Sequence, residues 1–507
     1  MSGDCMRLKA RILSIILIAC TVAGAFVYAR SGQSIFENRS LFTRPKTTVR
    51  LWYTDDALTT YLQSKAVSYA KVNPGVRIEP VLVSGLEYLE AINKASLTDD
   101  NYPDLFIITN DSLEKAYLSG LAMEVFGGAD YFTEDMFPTA AINSVMYDNR
   151  YIAYPMYFET SSLVYNKTYL EEMAREKMQA QLDLLEGEEA QAQIDAGEDE
   201  ENSLSEEETA DEDSTVFEFT EITDQTVDEM VKETIPTTIS DILKFAQSYN
   251  APDQVEAVFK WDVTDIFYNY FFVGNYMNVG GSAGDDVDQI DIYNADTISC
   301  MKIYQQLNQF FAIEAATTNY DSIVEDFLGG KIVFTVATTD ILSKIKEAKA
   351  KGESKFEFAV ADMPDLTPQF ETRTMSVTNC IVVNGYTEHP TQANAVARYI
   401  CNDSSDDLYH NSGKIAARYG IKYNDEDIDH FIEVYDSSIS MPKTIETSNL
   451  WMELEIAFTK IWNGEDANST LKAVSESIMT QVTGESYVEE PLPDPNDEAI
   501  IAGLTED

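Results

Sequence analysis

An α/β fold in two lobes is what this sequence predicts, and three observations carry it. Strand-like and helix-like segments alternate from Val49 onward. The stretch Asn149 to Asn166 sets two β-type runs around a polar, aromatic centre. Beyond the first thirty residues about 475 remain, enough for two lobes with a large core.

The elements follow in order. Arg7, Lys9 and Arg11 precede Ile12 to Ala29, eighteen residues without a charge, the length of a signal sequence and just that of a membrane span. Three outcomes compete for residues 1–30: lipidation of Cys20 in Leu17-Ile18-Ala19-Cys20, cleavage after Val27-Tyr28-Ala29, or retention as a helical anchor. Each leaves the chain outside the cytoplasm, with residues 31–47 as a linker. Val49 to Thr54 is then strand-like, and Ala57 to Val72 is apolar at helical spacing, closed by Asn73-Pro74-Gly75. Val76 to Val83 alternates as a second strand, Leu86 to Ala95 is helical, and Leu105 to Thr109 is an apolar strand followed by Asp111 as a helix cap. This is a βαβαβ unit, whose ligands bind at the carboxyl ends of the strands, here Thr54-Asp55-Asp56 and Thr109-Asn110-Asp111. Tyr151 to Tyr154 and Ser162 to Tyr165 read as strands flanking a turn of Tyr157, Phe158, Glu159 and Thr160. Aromatic faces beside hydrogen-bonding groups suit the C–H faces and hydroxyls of a sugar.

The order of segments resembles the type 1 extracellular solute-binding proteins of ABC importers, mostly carbohydrate-binding. The resemblance rests on Leu51-Trp52-Tyr53, Asn73-Pro74-Gly75-Val76, Tyr102 to Leu105, Tyr117 to Leu121, Tyr151 to Pro155, Leu163 to Lys167, Phe327 to Phe334 and Thr391 to Ile400. These motifs are short, and their collinearity over most of residues 48–480 carries the likeness. It implies a two-lobe periplasmic-binding-protein-like fold (type II), with a hinge between lobes and a ligand cleft at their interface. Residues 48–153 and about 320–357 would form the first lobe, and 154–319 and about 365–485 the second. Thr338-Thr339-Asp340 would cap a helix over the cleft. With the strand ends, the resemblance makes Trp52, Asp55, Asp56, Asn110, Asp111, Tyr157, Glu159, Trp261, Tyr276, Asn278, Thr339 and Trp451 candidate ligand residues, Trp451 preferred over Trp462. It also implies a monomer without cofactor, delivering to ABC permease transmembrane subunits served by a separate ATPase.

Charge adds to this. The formal net charge is −52, and Glu186 to Glu233 holds twenty acidic residues against the single base Lys232. We expect Tyr169 to Leu185 as a lengthened helix, residues 186–235 as an acidic disordered insertion and 486–507 as a flexible tail with Pro491, Pro493 and Pro495. Such a balance argues against nucleic acid as a partner. Enzyme signatures are weak. His389, His410 and His430 are scattered, and Gly280-Gly281-Ser282-Ala283-Gly284 runs into the acidic Asp285-Asp286 where a nucleophile elbow needs a helix. Cys300, Cys380 and Cys401 sit in apolar contexts and read as buried thiols. The leading expectation is a sugar receptor for a permease. The alternatives are a cation or polyamine receptor using Asp55, Asp56, Asp111 and Glu159, a sensor subunit for a membrane kinase, and a glycan-processing enzyme.

Overall fold

The computed structural model describes residues 46–195, 219, 221–311, 313–403, 405–447, 449–495 and 504. The leader with Cys20, most of the linker and residues 196–218 lie outside it. No helix among the described residues is long and apolar enough to cross a membrane.

One sheet runs through the molecule. Strands β1 (Thr47–Tyr53), β2 (Val76–Leu82) and β3 (Leu105–Thr109) pair in parallel, and after the small hairpin β4 (Met146–Tyr147) and β5 (Arg150–Tyr151) comes β6 (Tyr154–Asn166). Strands β7 (Ala257–Phe259), β8 (Ile332–Thr338), β9 (Phe358–Ala361), β10 (Met375–Val383) and β11 (Ile439–Ser440) complete the order β2-β1-β3-β10-β6-β8-β7. The expected two strands around a turn are thus a single thirteen-residue strand, β6, with Tyr157 to Thr160 inside it. Twelve of its residues are buried, and such a run carries no period to mark a break.

This strand belongs to both lobes. Residues Tyr154 to Thr160 pair with β10, which continues to β3, whereas Ser161 to Asn166 pair with β8 and β9. Two cores flank it, one containing Leu51, Phe106, Phe158 and Tyr435, the other Phe259, Trp261, Phe334 and Trp462. The pairing reverses the lobe assignment of two segments. Strand β8, expected in the first lobe, joins the second, and β10, expected in the second, lies in the first together with the helix Glu426–Ser437, whose Phe431 and Tyr435 fill the first core. Strand β8 is buried throughout and β10 nearly so, which leaves no solvent face in either to say which half of β6 it meets. The chain therefore crosses between lobes in the middle of β6, between β9 and β10, and after β11.

The acidic insertion is shorter than expected. The helix after β6 runs Lys167–Asp195, and a second helix, Asp224–Thr234, returns along it with Thr223 forming a capping box. Val227 and Val231 enter the second core, which gives this acidic segment an apolar stripe at helical spacing. The tail is also held. Leu492 N donates to Tyr293 Oη at 3.0 Å, Asn468 Nδ2 to Leu492 O at 2.9 Å, Ser475 Oγ to Glu489 Oε1 at 2.6 Å, and Leu504 is buried. Its prolines restrict the backbone to an extended path that lies along the helix Ala467–Thr483.

Lys443 sits buried at the third crossover. Its Nζ donates to Asn143 O of the first lobe at 3.0 Å and to Ala283 O of the second. Burial pulls its ammonium down from 10.5 to about 8, against the upward pull of Asp285, Cys380 and Glu114. The folded protein then sheds this proton at a lower pH than the unfolded chain, so stability rises with pH between about 8 and 10.5. The slope expected relative to Lys443→Met is up to about 1.4 kcal/mol per pH unit. Denaturant midpoints of the two proteins, measured across that range, should diverge; parallel profiles would refute it.

Candidate functional site

The carboxyl ends of β1, β2 and β3 surround a cavity of about 380 Å³, lined among others by Thr54, Asp55, Glu87, Thr109, Tyr157 and Asn379. Its floor depends on an irregularity. The register between β10 and β6 shifts after Asn379, which faces Tyr157, because Cys380 faces Pro155 and Met156 is extra. Pro155 has no N–H for the ladder, and a bulge beside it re-aims neighbouring side chains. Tyr157 and Asn379 both point into the cavity lining as a result.

Lys414 organises the charges. Gly413 closes the helix Leu408–Ser412 at φ +72°, a left-handed conformation that glycine adopts without strain. The chain then lies along the bulge, with Phe158 N donating to Ile415 O and Ala417 N to Met156 O. Lys414 Nζ thereby reaches Asp55 Oδ2 at 3.2 Å and Glu159 Oε1 at 3.0 Å, 5.2 Å from the Tyr157 ring centroid. Burial lowers its pKa, but Glu159 and Asp55 outweigh that and hold the ammonium above its ordinary value. The Tyr157 hydroxyl donates to Asp55 Oδ2 at 3.5 Å, and burial, reinforced by Asp55 and Glu159, pushes it well above the usual tyrosine range. It stays a neutral donor at any physiological pH.

The second lobe contributes a stacked pair, Tyr268 and Tyr320, 4.4 Å between centroids. Tyr320 Oη donates to Asp340 Oδ1 at 2.6 Å, and Lys344 pairs with Asp340 Oδ2 at 2.8 Å. Burial, then Asp265, Asp340, Asp262 and Glu159, hold the Tyr268 hydroxyl up, so Glu159 stands within electrostatic reach of this pair. Thr339 is buried next to Asp340, and the expected side-chain cap of the helix Ile341–Lys351 does not form, because Tyr320 and Thr338 take the Asp340 carboxylate.

Of the residues expected at the ligand, the structure gathers Asp55, Tyr157 and Glu159. Asp55 also caps the turn after β1 through Ala57 N. Trp52 is half-buried against the first core, and Asp56 is exposed. Asn110 is wholly buried and fastens elements: its Oδ1 accepts from Thr378 N at 2.9 Å and its Nδ2 donates to Met441 O at 2.6 Å. Asp111 accepts from Thr109 and Ser112 and does not cap the following helix. Trp261 is core, its ring 4.6 Å from Phe259 and its Nε1 donating to Asn269 Oδ1 at 2.9 Å. Trp451 lies half-buried edge-on to Tyr270, and Trp462 is fully in the core. Tyr276 and Asn278 line a different cavity.

Sequence reasoning missed Lys414 and Tyr320 and gave Asp340 only a capping role; only a scarce lysine just after a helix-closing glycine could have drawn attention to the first. No group of three His, Cys, Asp or Glu among the described residues could hold a metal, and Cys300, Cys380 and Cys401 are buried free thiols.

A family model described as bacterial extracellular solute-binding protein matches residues 66–426. Among solved structures, the extracellular solute-binding protein from Staphylococcus aureus in complex with maltose is 17% identical with a TM-score of 0.65, over 87% of this chain and 99% of that one. The maltose-binding periplasmic protein from Listeria monocytogenes, also with maltose, is 18% identical with a TM-score of 0.64, over 88% and 100%. A cyclo/maltodextrin-binding protein complexed with maltotetraose is 14% identical with a TM-score of 0.65, again over 88% and 100%. At these identities the likeness is one of fold. No match was found among curated proteins.

Proposed function

The chain belongs to the bacterial extracellular solute-binding proteins, and from that premise we propose that it captures a sugar or oligosaccharide between its lobes and delivers it to the permease of an ABC importer. It is a binding protein, and its family places it outside the cytoplasm. We extend the reading to the membrane: the leader anchors the protein, by a lipid on Cys20 or as an uncleaved helix.

The observation that carries the sugar reading is the Asp55–Lys414–Glu159 network around Tyr157. An unpaired carboxylate cluster would favour a cation, but here a lysine already occupies the space between the two acids. Beside this network lies a cavity of about 380 Å³ whose lining includes Asp55, Tyr157 and Asn379, a size and a set of hydrogen-bonding groups suited to a sugar unit. The solved structures of the same fold bind maltose and maltotetraose, which makes α-linked glucose oligomers the first ligands to try.

Calorimetric titration with maltose, maltotetraose, other oligosaccharides, polyamines and divalent metals tests the reading. A sugar should bind, and Tyr157→Ala should weaken it about tenfold to a hundredfold, or about 1.4 to 3 kcal/mol, through loss of a lining side chain whose hydroxyl holds Asp55. Binding of polyamines or metals with silence toward every sugar would overturn it.

A further inference from the structure

Tyr276 and Asn278 line a second cavity, of about 350 Å³, that shares no lining residue with the first. It is built by both lobes and two crossovers: Asn143 from the first lobe, Tyr276, Asn278 and Gln289 from the second, Arg373 between β9 and β10, and Pro442 after β11. None of its lining residues is acidic, in a chain with 87 Asp and Glu against 35 Lys and Arg, whereas the first cavity has Asp55, Glu87 and Glu90.

Its cation is Arg373. The guanidinium donates from Nε to Ser437 O at 2.6 Å and from Nη2 to Ser438 O at 3.5 Å, and burial and Tyr270, with no carboxylate, set its electrostatic surroundings among the described residues. A guanidinium carries five N–H donors, so three remain after these two bonds. Lys443, close by at the third crossover, likewise bonds backbone carbonyls; Asp285 and Glu114 act on it from a distance. The amides of Asn143 and Asn278 stand near the Tyr276 ring, Asn278 Oδ1 accepting from Gly281 N at 2.8 Å, and Gln289 Nε2 already donates to Asp286 Oδ2 at 2.7 Å.

We propose that this cavity binds a small polyhydroxylated anion, a hexuronate or a hexose phosphate, with Arg373 on the anionic group and the amides on hydroxyls. The fork of an arginine matches the oxygens of a carboxylate or phosphate, and no acidic side chain lines the cavity itself, Asp286 at its rim being bonded to Gln289 Nε2 at 2.7 Å. The site stands apart from the cleft around Tyr157. Because it touches two of the three crossovers, its occupant also biases the angle between lobes.

Thermal unfolding of the full-length protein at about 0.15 M salt, with glucuronate, glucose 6-phosphate or neutral glucose, tests this. At least one anion should raise the melting temperature, by a few degrees at about a hundred times its Kd, and in Arg373→Gln the rise over that variant's own ligand-free melting temperature should vanish. If Arg373→Gln does not fold, Arg373→Lys serves instead, keeping the charge, losing the fork and weakening the anion about tenfold. No rise with either anion, an equal rise with glucose, or a rise that survives the loss of Arg373 would overturn the proposal, whatever the outcome for sugars in the cleft.

Discussion

Trp261→Ala should destabilise the protein by about 4 kcal/mol, a large part of the stability of an ordinary folded domain. The ring is fully buried, stacked on Phe259 and met edge-on by Phe311 at 5.8 Å and Trp462 at 5.6 Å. Truncation leaves a cavity that these neighbours, themselves packed, can only partly fill. It also strands Asn269 Oδ1, whose amide Nδ2 is fixed by Asp262 O and Asp265 O at 2.7 Å each and cannot turn to find another donor. Urea denaturation gives the comparison, with the half-buried Trp451→Ala as the milder control. Unaltered stability with lost ligand binding would return Trp261 to the cleft and sink the assignment to the core.

A glycine gives the second large effect. A Cβ on Gly274 would lie 1.9 Å from Arg373 O, and the obstacle is backbone at the second crossover, which has no rotamer to change. Gly274→Ala should therefore cost about 3 kcal/mol through enforced separation of the second lobe from this crossover. The same variant should also disturb lobe closure, seen as a changed radius of gyration in small-angle scattering. Wild-type stability in Gly274→Ala would mean that the crossover yields freely and does not fix the lobes.

The first βαβαβ unit was legible in the sequence because its strands and helices have clean periods and turn residues between them. Asn73-Pro74-Gly75 separates the helix Thr59–Val72 from β2 as expected, and Leu105 to Thr109 is β3 residue for residue. Strand partners were not legible. Strand β8 is buried on both faces, and nothing in Ile-Val-Phe-Thr-Val-Ala-Thr says which half of β6 it meets. Tyr157 to Thr160 looked like a turn because its polar groups suggested solvent, yet Thr160 is buried and donates to Met375 O at 3.0 Å. In the site, Asp55, Tyr157 and Glu159 were reachable from strand ends and composition. Lys414 was not, since it arrives from more than two hundred residues away by way of a bulge that only the pairing of Pro155 reveals. Aromatic density misled in the opposite direction: Trp261 and Tyr268 share a run and are both buried, and only their packing partners, Phe259 for the one and Tyr320 for the other, tell them apart.

The three crossings have a bearing on biosynthesis. The first core waits for Phe431 and Tyr435, and the second for Leu471, Ile478 and Leu504, so neither is complete while a large part of the chain is still in the ribosome. Contacts such as Lys414 with Asp55 close loops of several hundred residues, which is the regime of slow folding. In a nascent chain the first core is therefore completed once Phe431 and Tyr435 have emerged, and the second only when the last helix and Leu504 arrive.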